Sequence, residues 1–214
     1  MIIAVDGPAA SGKGTIARAL ARHYGLPHLD TGLLYRAVAA EVLREERDPA
    51  NEADALAGCS FEDFQLEDPA LKSEAIGKAA SIVSAHPLVR KALLLRQKKF
   101  AGQPGGAVLD GRDIGTVIAP EADVKIFVKA TPMIRAQRRQ LEQRKSGVFE
   151  SLDKVLSDIR ARDERDAKRT EAPMRQAADA VLLDTSFLSI EAAVQKAVAI
   201  VEAARAKASA DSEQ

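Results

Sequence analysis

The sequence predicts an α/β fold with a parallel β-sheet, and three observations support this. Short, almost entirely apolar runs recur along the chain, as is typical of strands that are buried on both faces. Segments in which apolar residues recur at helical spacing separate these runs. Crossover connections of this kind bring the carboxyl ends of the strands to one edge of the sheet, where ligands bind. We therefore expect the functional side chains at that edge.

Five runs are predicted as strands, and three segments are predicted as helices of the core. The strands are placed at residues 2–5, 28–29, 107–109, 124–128 and 180–183. The helices are placed at residues 13–24, 33–47 and 190–206. Thr31, which follows the second strand, is expected to cap the second of these helices. The last residues, 209–214, are expected to be frayed, as chain ends usually are.

Two segments fit this rhythm poorly. Residues 50–100 are acidic, alanine-rich and helical in pattern without a clear core strand, and residues 140–168 are densely charged. We interpret both as excursions from one domain that covers residues 1–214, because this length suits a single domain. The core of that domain is then assigned as follows: residues 1–48, 101–140 and 170–208.

Composition argues against several classes of protein. The chain has 31 basic and 31 acidic residues, whereas proteins that bind polymeric nucleic acid usually carry a basic excess. A single cysteine, Cys59, cannot form an internal disulfide and fits a reducing compartment. The three histidines have no metal-ligand spacing, and we see neither a signal peptide nor a membrane-length apolar run. We expect a cytoplasmic protein without membrane contact, and the mixed surface charge favours a monomer.

A phosphate-binding loop is the most specific motif. The glycine and lysine spacing of Gly-x4-Gly-Lys falls between the first predicted strand and the first predicted helix. Its residues are Gly7, Pro8, Ala9, Ala10, Ser11, Gly12, Lys13, Gly14 and Thr15. Glycines let successive N–H groups point at phosphate oxygens, and lysine adds a point charge for the β- and γ-phosphates. Gly14 departs from the general motif, because the hydroxyl that often holds Mg²⁺ follows one residue later, on Thr15.

A second polar loop, Asp110-Gly111-Arg112-Asp113, follows the strand at 107–109 and is therefore expected at the same sheet edge. An apolar run that ends in aspartate resembles a Walker-B strand, whose carboxylate helps to hold Mg²⁺. Arg112 offers a fork for phosphate, and Asp113 offers an acceptor for an amino group. The sequence alone also permits a plain polar turn closed by a surface ion pair.

A stripe of arginines is predicted near the end of the second excursion. On a helix, Arg162, Arg165, Asp166 and Arg169 fall at i, i+3, i+4 and i+7, and therefore share one face. Charge runs of this kind are often solvated helices laced with ion pairs. The alternative is that the arginines converge on a transferred phosphoryl group. So much positive charge on one stripe favours a mobile segment that becomes ordered when an anion binds.

The Gly-Lys-Gly-Thr ending of the phosphate loop resembles the nucleoside monophosphate kinases, and the remaining motifs narrow the resemblance to the bacterial cytidylate kinases. The supporting segments are residues 29–32, 35–36, 80–81, 87–90, 110–117, 124–127 and 162–166 with Arg169. The resemblance covers almost the whole chain. It is weakest at residues 48–75, where the chain looks shorter than the family pattern. It implies the three-layer P-loop kinase fold, with an acceptor-binding insertion at 49–100 and a lid with the arginine helix at 141–169.

The resemblance also implies a reaction, the transfer of the γ-phosphoryl group of ATP to CMP or dCMP with Mg²⁺ as cofactor. In it, Lys13, Arg112, Arg162, Arg165 and Arg169 are the catalytic residues, and residues 7–15 bind ATP. The residues implied in CMP binding are Thr31, Arg36, Ser81, Arg90, Asp110, Gly111, Arg112, Asp113, Arg162, Asp166 and Arg169. Thr31 and Arg36 contact the CMP phosphate in this interpretation, and Ser81 and Arg90 read the base.

Two other functions remain open at this point. The chain could be a kinase for another acceptor, such as UMP or a non-nucleotide metabolite, because P-loop kinases accept many. It could also be a regulatory nucleotide-binding module or a GTPase switch. The sequence has no Asn-Lys-x-Asp guanine-reading motif, and a passive binder has no use for the arginine stripe.

Overall fold

The computed structural model describes residues 1–212, apart from the side chains of Phe64, Asp211 and Ser212. Within this range the chain forms a five-stranded parallel sheet in the order β2-β3-β1-β4-β5. The strands are β1 (Ile2–Asp6), β2 (His28–Asp30), β3 (Ala107–Gly111), β4 (Val124–Lys129) and β5 (Val181–Asp184). All five lie within two residues of the predicted positions, so the α/β prediction is confirmed.

Helices connect the strands and cover both faces of the sheet. They are α1 (Lys13–Tyr24), α2 (Thr31–Arg44), α3 (Glu52–Ala57), α4 (Glu74–Val83), α5 (Pro87–Ala101), α6 (Pro132–Lys145), α7 (Leu152–Lys168) and α8 (Ile190–Ser212). Two 3₁₀ turns, Asp63–Glu67 and Pro69–Lys72, lie between α3 and α4, and a π-helical turn, Ile114–Ile118, follows β3. No helix of residues 1–212 combines the length and apolarity that a membrane crossing requires.

The ends of two helices differ from prediction. Helix α2 begins at Thr31 rather than near residue 33, because the Asp30 side chain accepts a hydrogen bond from Gly32 N–H and caps it. Helix α8 continues to Ser212, into the segment 209–214 that was expected to be frayed. Residues 213 and 214 lie outside the described range.

Two apolar clusters enclose the sheet. On one face, α1 and α8 pack on β1 through Ile16, Leu20 and Val201. On the other face, Leu109 of β3 packs with Ile114 and with residues of α5. Each of these large side chains is almost fully buried, which is worth roughly 2 kcal/mol apiece in transfer free energy. The sheet is thereby fixed, and the loops at its carboxyl edge are placed by a rigid support.

The two excursions form their own packing units beside the sheet. Helices α2, α4 and α5 share a cluster that includes Leu34, Val38 and Val83, which explains why residues 50–100 are helical without a strand. Helices α6 and α7 pack through a smaller cluster around Ala136 and Ile159. The carboxyl edge of the sheet lies open between these units.

Candidate active site

The phosphate loop runs from the end of β1 to the start of α1, as the motif predicts. Gly7 has φ +150°, and a Cβ there would lie 2.1 Å from the Val128 carbonyl oxygen. Gly12 stands before α1 with φ +92°, and no side chain of the described residues caps the helix in its place. The N–H groups at the start of α1 are therefore left for a ligand, and an anion is the ligand that a helix N-terminus favours.

Lys13 and Asp110 face each other at the mouth of this loop. The Lys13 Nζ lies 3.8 Å from Asp110 Oδ2, and the lysine side chain is only 14% exposed. Burial, with the charge of Arg112 added, lowers the pKa of Lys13 to about 8. Burial opposes ionisation of Asp110, but a hydrogen bond with His28 and the charge of Lys13 outweigh it and lower its pKa. Asp110 therefore balances only part of the positive charge of Lys13 and Arg112, and this environment favours the binding of an anion.

His28 is a site residue that sequence reasoning missed. Its Nε2 lies 2.8 Å from Asp110 Oδ1, which fixes the carboxylate from the side opposite Lys13. The three histidines were discounted because they lack metal-ligand spacing, and that criterion does not detect a single histidine at a strand end. His28 is the first residue of β2, and Asp30, two positions later, is the last. The available signal was therefore a histidine within the short strand that leads to the functional edge of the sheet.

The second polar loop, Asp110 to Asp113, leaves β3 beside the phosphate loop, as predicted. Gly111 is required there, because a Cβ would lie 2.6 Å from the hydroxyl oxygen of Thr31. Arg112 Nε donates to Asp166 Oδ2 at 2.8 Å, and Asp113 pairs with Arg90. The interpretation of this loop as an exposed polar turn is wrong, because Asp110 and Asp113 are both buried.

Thr31 has a different local role from the one predicted. It was expected to cap α2, but Asp30 does so, and Thr31 is the first helical residue. Its hydroxyl donates to the Asp110 carbonyl oxygen at 2.9 Å. The hydrogen bond ties the start of α2 to the loop after β3. It keeps Thr31 beside the cleft into which Arg112 projects.

The arginine stripe lines the cleft, with Asp166 and Arg169 buried, Arg162 partly buried and Arg165 still largely exposed. Arg165 donates to Ser81 Oγ at 3.2 and 3.3 Å, and Arg162 lines a cavity of about 450 Å³ with Lys13. The ion pair of the opposite face, Glu164 with Lys168, is exposed. A wholly solvated helix was therefore the wrong alternative.

Arg169 lies near the other arginines although it is not part of their helix. Helix α7 ends at Lys168, and the backbone of Arg169 is extended. The expected i+7 position on one continuous helix is therefore incorrect, although the side chain is buried and lies 3.9 Å from Asp113. Its guanidinium also donates to the Ala172 carbonyl oxygen at 2.7 Å, which holds the chain as it leaves the helix.

Arg162 carries a charge that its neighbours balance only in part, through Asp166. Its Nε is buried and has no hydrogen-bond partner among the described residues. Burial, reinforced by the charge of Arg112, lowers its pKa to about 10. The same cavity is lined by Arg36, whose pKa burial also lowers, and by Lys13. This concentration of positive charge in a recess suits a ligand with several anionic groups.

Arg90 and Asp113 lie in a separate, smaller recess. Arg90 sits 5.6 Å from the ring centre of Tyr35, and Arg169 approaches from the other side. The cavity between them measures about 40 Å³. Ser81 does not line this recess, but lies in the larger cavity, in contact with Arg165. The predicted base-reading residues are therefore neighbours, in two adjoining spaces.

Contacts between the two excursions were not visible in the sequence. Glu74 of α4 accepts hydrogen bonds from Arg139 at 2.8 Å and from Gln143 at 2.9 Å, both on α6. Arg36, which the resemblance places at the CMP phosphate, donates to the carbonyl oxygens of Leu71 and Ser73. These bonds hold the charged helices over the carboxyl edge of the sheet.

Mg²⁺ is implied by the phosphate loop, and the residues present fit it. No cluster of three or more acidic, histidine or cysteine side chains within residues 1–212 could hold a metal alone. A Cβ on Gly14 would lie 3.6 Å from Asp110 Oδ2, so the carboxylate lies beside the first turn of α1, which carries Thr15. One carboxylate and one hydroxyl suit a cation that takes its other ligands from phosphates and water.

Comparisons with known proteins agree with these features. A family model described as cytidylate kinase matches residues 3–203. The cytidylate kinase of Rhodopseudomonas palustris (strain TIE-1) is 58% identical over 207 residues, 96% of this chain and 98% of that protein. The cytidylate kinase of Bradyrhizobium sp. (strain ORS 278) shows the same identity and coverage. A crystal structure of an uncharacterized protein from Eubacterium ventriosum ATCC 27560, 18% identical, aligns with TM-score 0.53 over 95% of this chain and 98% of that one, which concerns the fold alone. The chain belongs to the cytidylate kinase family.

Proposed function

We propose that the protein transfers the γ-phosphoryl group of ATP to CMP or dCMP, and so yields ADP with CDP or dCDP. The observation that carries the proposal is the shared cavity of about 450 Å³, where Lys13 of the phosphate loop meets Arg36, Arg112 and Arg162 of the acceptor side. The donor and the acceptor are both anionic phosphates, and a cavity lined by positive side chains from both sides can bring them together. Membership of the cytidylate kinase family supports the choice of acceptor.

On the donor side, residues 7–15 hold the phosphates of ATP. The base and ribose fit a second cavity of about 400 Å³ beside Gly12, which Arg138 and Leu188 also line. Thr15 lines that cavity and, with Asp110, would hold Mg²⁺, which supplies positive charge to the β- and γ-phosphates.

On the acceptor side, Thr31, Arg36 and Arg112 hold the CMP phosphate, and Arg90 with Asp113 reads the cytosine edge. Asp166 keeps Arg112 aimed at the cleft through their 2.8 Å hydrogen bond. Ser81 contributes its hydroxyl from the floor of the larger cavity. A pocket made of hydrogen-bonding groups rejects a wrong base strongly, because the mismatch leaves buried polar atoms without partners.

The chemistry asks the protein for positioning and for charge stabilisation. Lys13, with Arg162, Arg165 and Arg169, balances the charge that spreads over the transferred γ-phosphoryl oxygens. The acceptor is already an anionic phosphate, so no general base is needed. Residues 141–169 form the lid and residues 49–100 the acceptor-binding insertion, and their closure excludes the water that would hydrolyse ATP. The setting is cytoplasmic pyrimidine metabolism, with the protein as a monomer.

The test is release of ADP by the purified protein with ATP and Mg²⁺, with CMP, dCMP, UMP and AMP compared as acceptors. Rapid turnover with CMP or dCMP and little with AMP is expected. Nucleotide binding without acceptor-dependent release of ADP would refute the proposal, because only the donor half of the site would then function.

A further inference from the structure

Asp6 is not one of the residues proposed to bind a substrate. It holds the turn that follows the acceptor loop, residues 110–113. It is the last residue of β1, directly before the phosphate loop, and is 5% exposed. Its two carboxylate oxygens accept hydrogen bonds from Ile114 N–H and Gly115 N–H, each at 2.8 Å. Both donors belong to the turn that follows the acceptor loop.

The bonded N–H groups are the first two of the π-helical turn Ile114–Ile118. Such groups have no partner within their own turn, and the preceding residue normally caps them with its side chain. The preceding residue is Asp113, a good capping residue, but it makes no cap. Its carboxylate instead pairs with Arg90 and lies 3.9 Å from Arg169.

We propose that Asp6 caps this turn in place of Asp113, and thereby releases the Asp113 carboxylate to read the acceptor base. Asp6 is then a positioning residue for acceptor specificity, supplied by the strand that carries the donor loop. The inference rests on the proposed function, in which Asp113 recognises cytosine.

The fit around Asp6 requires a carboxylate of this length. A Cβ on Gly115 would lie 3.4 Å from Asp6 Oδ2 and 3.1 Å from Lys125 Cδ, so the turn approaches as closely as a glycine allows. Each N–H group bonds to a different carboxylate oxygen, so an asparagine in the same position places its oxygen at one N–H group and its NH₂ group at the other. Burial raises the pKa of Asp6 to about 6 against the effect of both hydrogen bonds, so the charge is held there at a cost.

The donor loop has supports that do not involve Asp6. The Ser11 carbonyl oxygen accepts a hydrogen bond from Thr185 Oγ1 at 2.8 Å. Gly7 packs against the Val128 carbonyl oxygen of β4. A change that keeps the size of Asp6 is therefore expected to disturb the acceptor loop and to leave the donor loop in place.

The test compares the wild-type protein with Asp6→Asn, Asp113→Ala and the double variant in steady-state assays. Loss of one hydrogen bond to a charged group predicts that Asp6→Asn raises KM for CMP about tenfold and weakens the preference for CMP over UMP. KM for ATP is expected to stay within about twofold. In the Asp113→Ala background, Asp6→Asn should have no further effect on base preference. The amide proton of Gly115 should also move upfield in the NMR spectrum of Asp6→Asn.

Equal increases in KM for ATP and CMP, or an unchanged Gly115 amide, would overturn the inference. The inference would also be overturned if Asp6→Asn changed base preference as much in the Asp113→Ala background as it does in the wild-type protein. If Asp6→Asn does not fold, Gly115→Ala crowds the same contact and carries the same expectation for the two KM values. Failure of the proposed function is separate, because it shows as absent CMP turnover in the wild-type protein, and the Gly115 amide still reports whether Asp6 caps the turn.

Discussion

Replacement of Arg162 by methionine should stabilise the empty protein and impair catalysis together. Arg162 is held in the cleft with a buried Nε that lacks a partner among the described residues. Its pKa is lowered well below the ordinary value of arginine, to about 10, chiefly by burial and then by the charge of Arg112. An anionic ligand bound in the cleft would balance this charge and offset the cost of its burial. Methionine keeps an unbranched stem of similar length and removes the charge.

The magnitude follows from the lowered pKa. One pH unit corresponds to about 1.4 kcal/mol, so holding the Arg162 charge in the ligand-free site costs at most about 3.5 kcal/mol. Because the side chain is only partly shielded from water, we expect about 1–2 kcal/mol. In a chain of this length that raises the melting temperature by roughly 3–6 °C. Turnover should fall at least about 100-fold, because a charge that stabilises the transferred phosphoryl group is gone.

The assay measures melting without ligand and turnover with ATP and CMP for each variant. Arg160→Met is the matched control, because Arg160 lies on the same helix with an exposed side chain, and neither measurement should change. A lower melting temperature for Arg162→Met would mean that the arginine stabilises the fold. Unchanged turnover would mean that it does not meet the phosphoryl group. Either result would refute the reasoning.

Three further predictions concern Lys13 and Asp113. Lys13→Ala should lower turnover at least about 100-fold, and near-normal turnover would remove it from the mechanism. Because the pKa of Lys13 is about 8, its positive charge is present below that pH and lost above it. At saturating CMP, kcat/KM for ATP should therefore fall as the pH rises through about 8, and a profile flat to about pH 9 would contradict the assignment. Asp113→Ala should loosen the choice between CMP and UMP more than it raises KM for ATP, which competition assays measure; an unchanged preference would exclude Asp113 from base reading.

Sequence reasoning placed the strands and the phosphate loop because both depend on local signals. β1 is an apolar run, and the glycine-rich residues 7–15 follow it directly. Both can be predicted from residues that are adjacent in the sequence. The loop after β3 was placed by the same logic, since the carboxyl ends of parallel strands share one edge. The predicted site residues came together at that edge for this reason.

The parts that sequence reasoning missed depend on contacts distant along the chain. The contact between His28 and Asp110 spans 82 positions, and the bonds from Asp6 to the turn after β3 span more than 100. The start of α2 was placed two residues too late, and the hydrogen bond that holds Thr31 there reaches the Asp110 carbonyl oxygen, 79 positions away. Spacing along one helix likewise did not show that α7 ends before Arg169.

The size of the base recess bears on how a wrong acceptor would be rejected. Arg90 and Asp113 pair with each other, and the cavity beside them is small, at about 40 Å³. If these two groups read the acceptor base as proposed, a base that bonds to them must replace the bond that they make to each other. A base that bonds to both groups restores their partners, whereas a base that bonds to one leaves a buried charge alone, which costs several kcal/mol. Selectivity in this arrangement comes from the ion pair that must be broken, and a pocket already open would discriminate less.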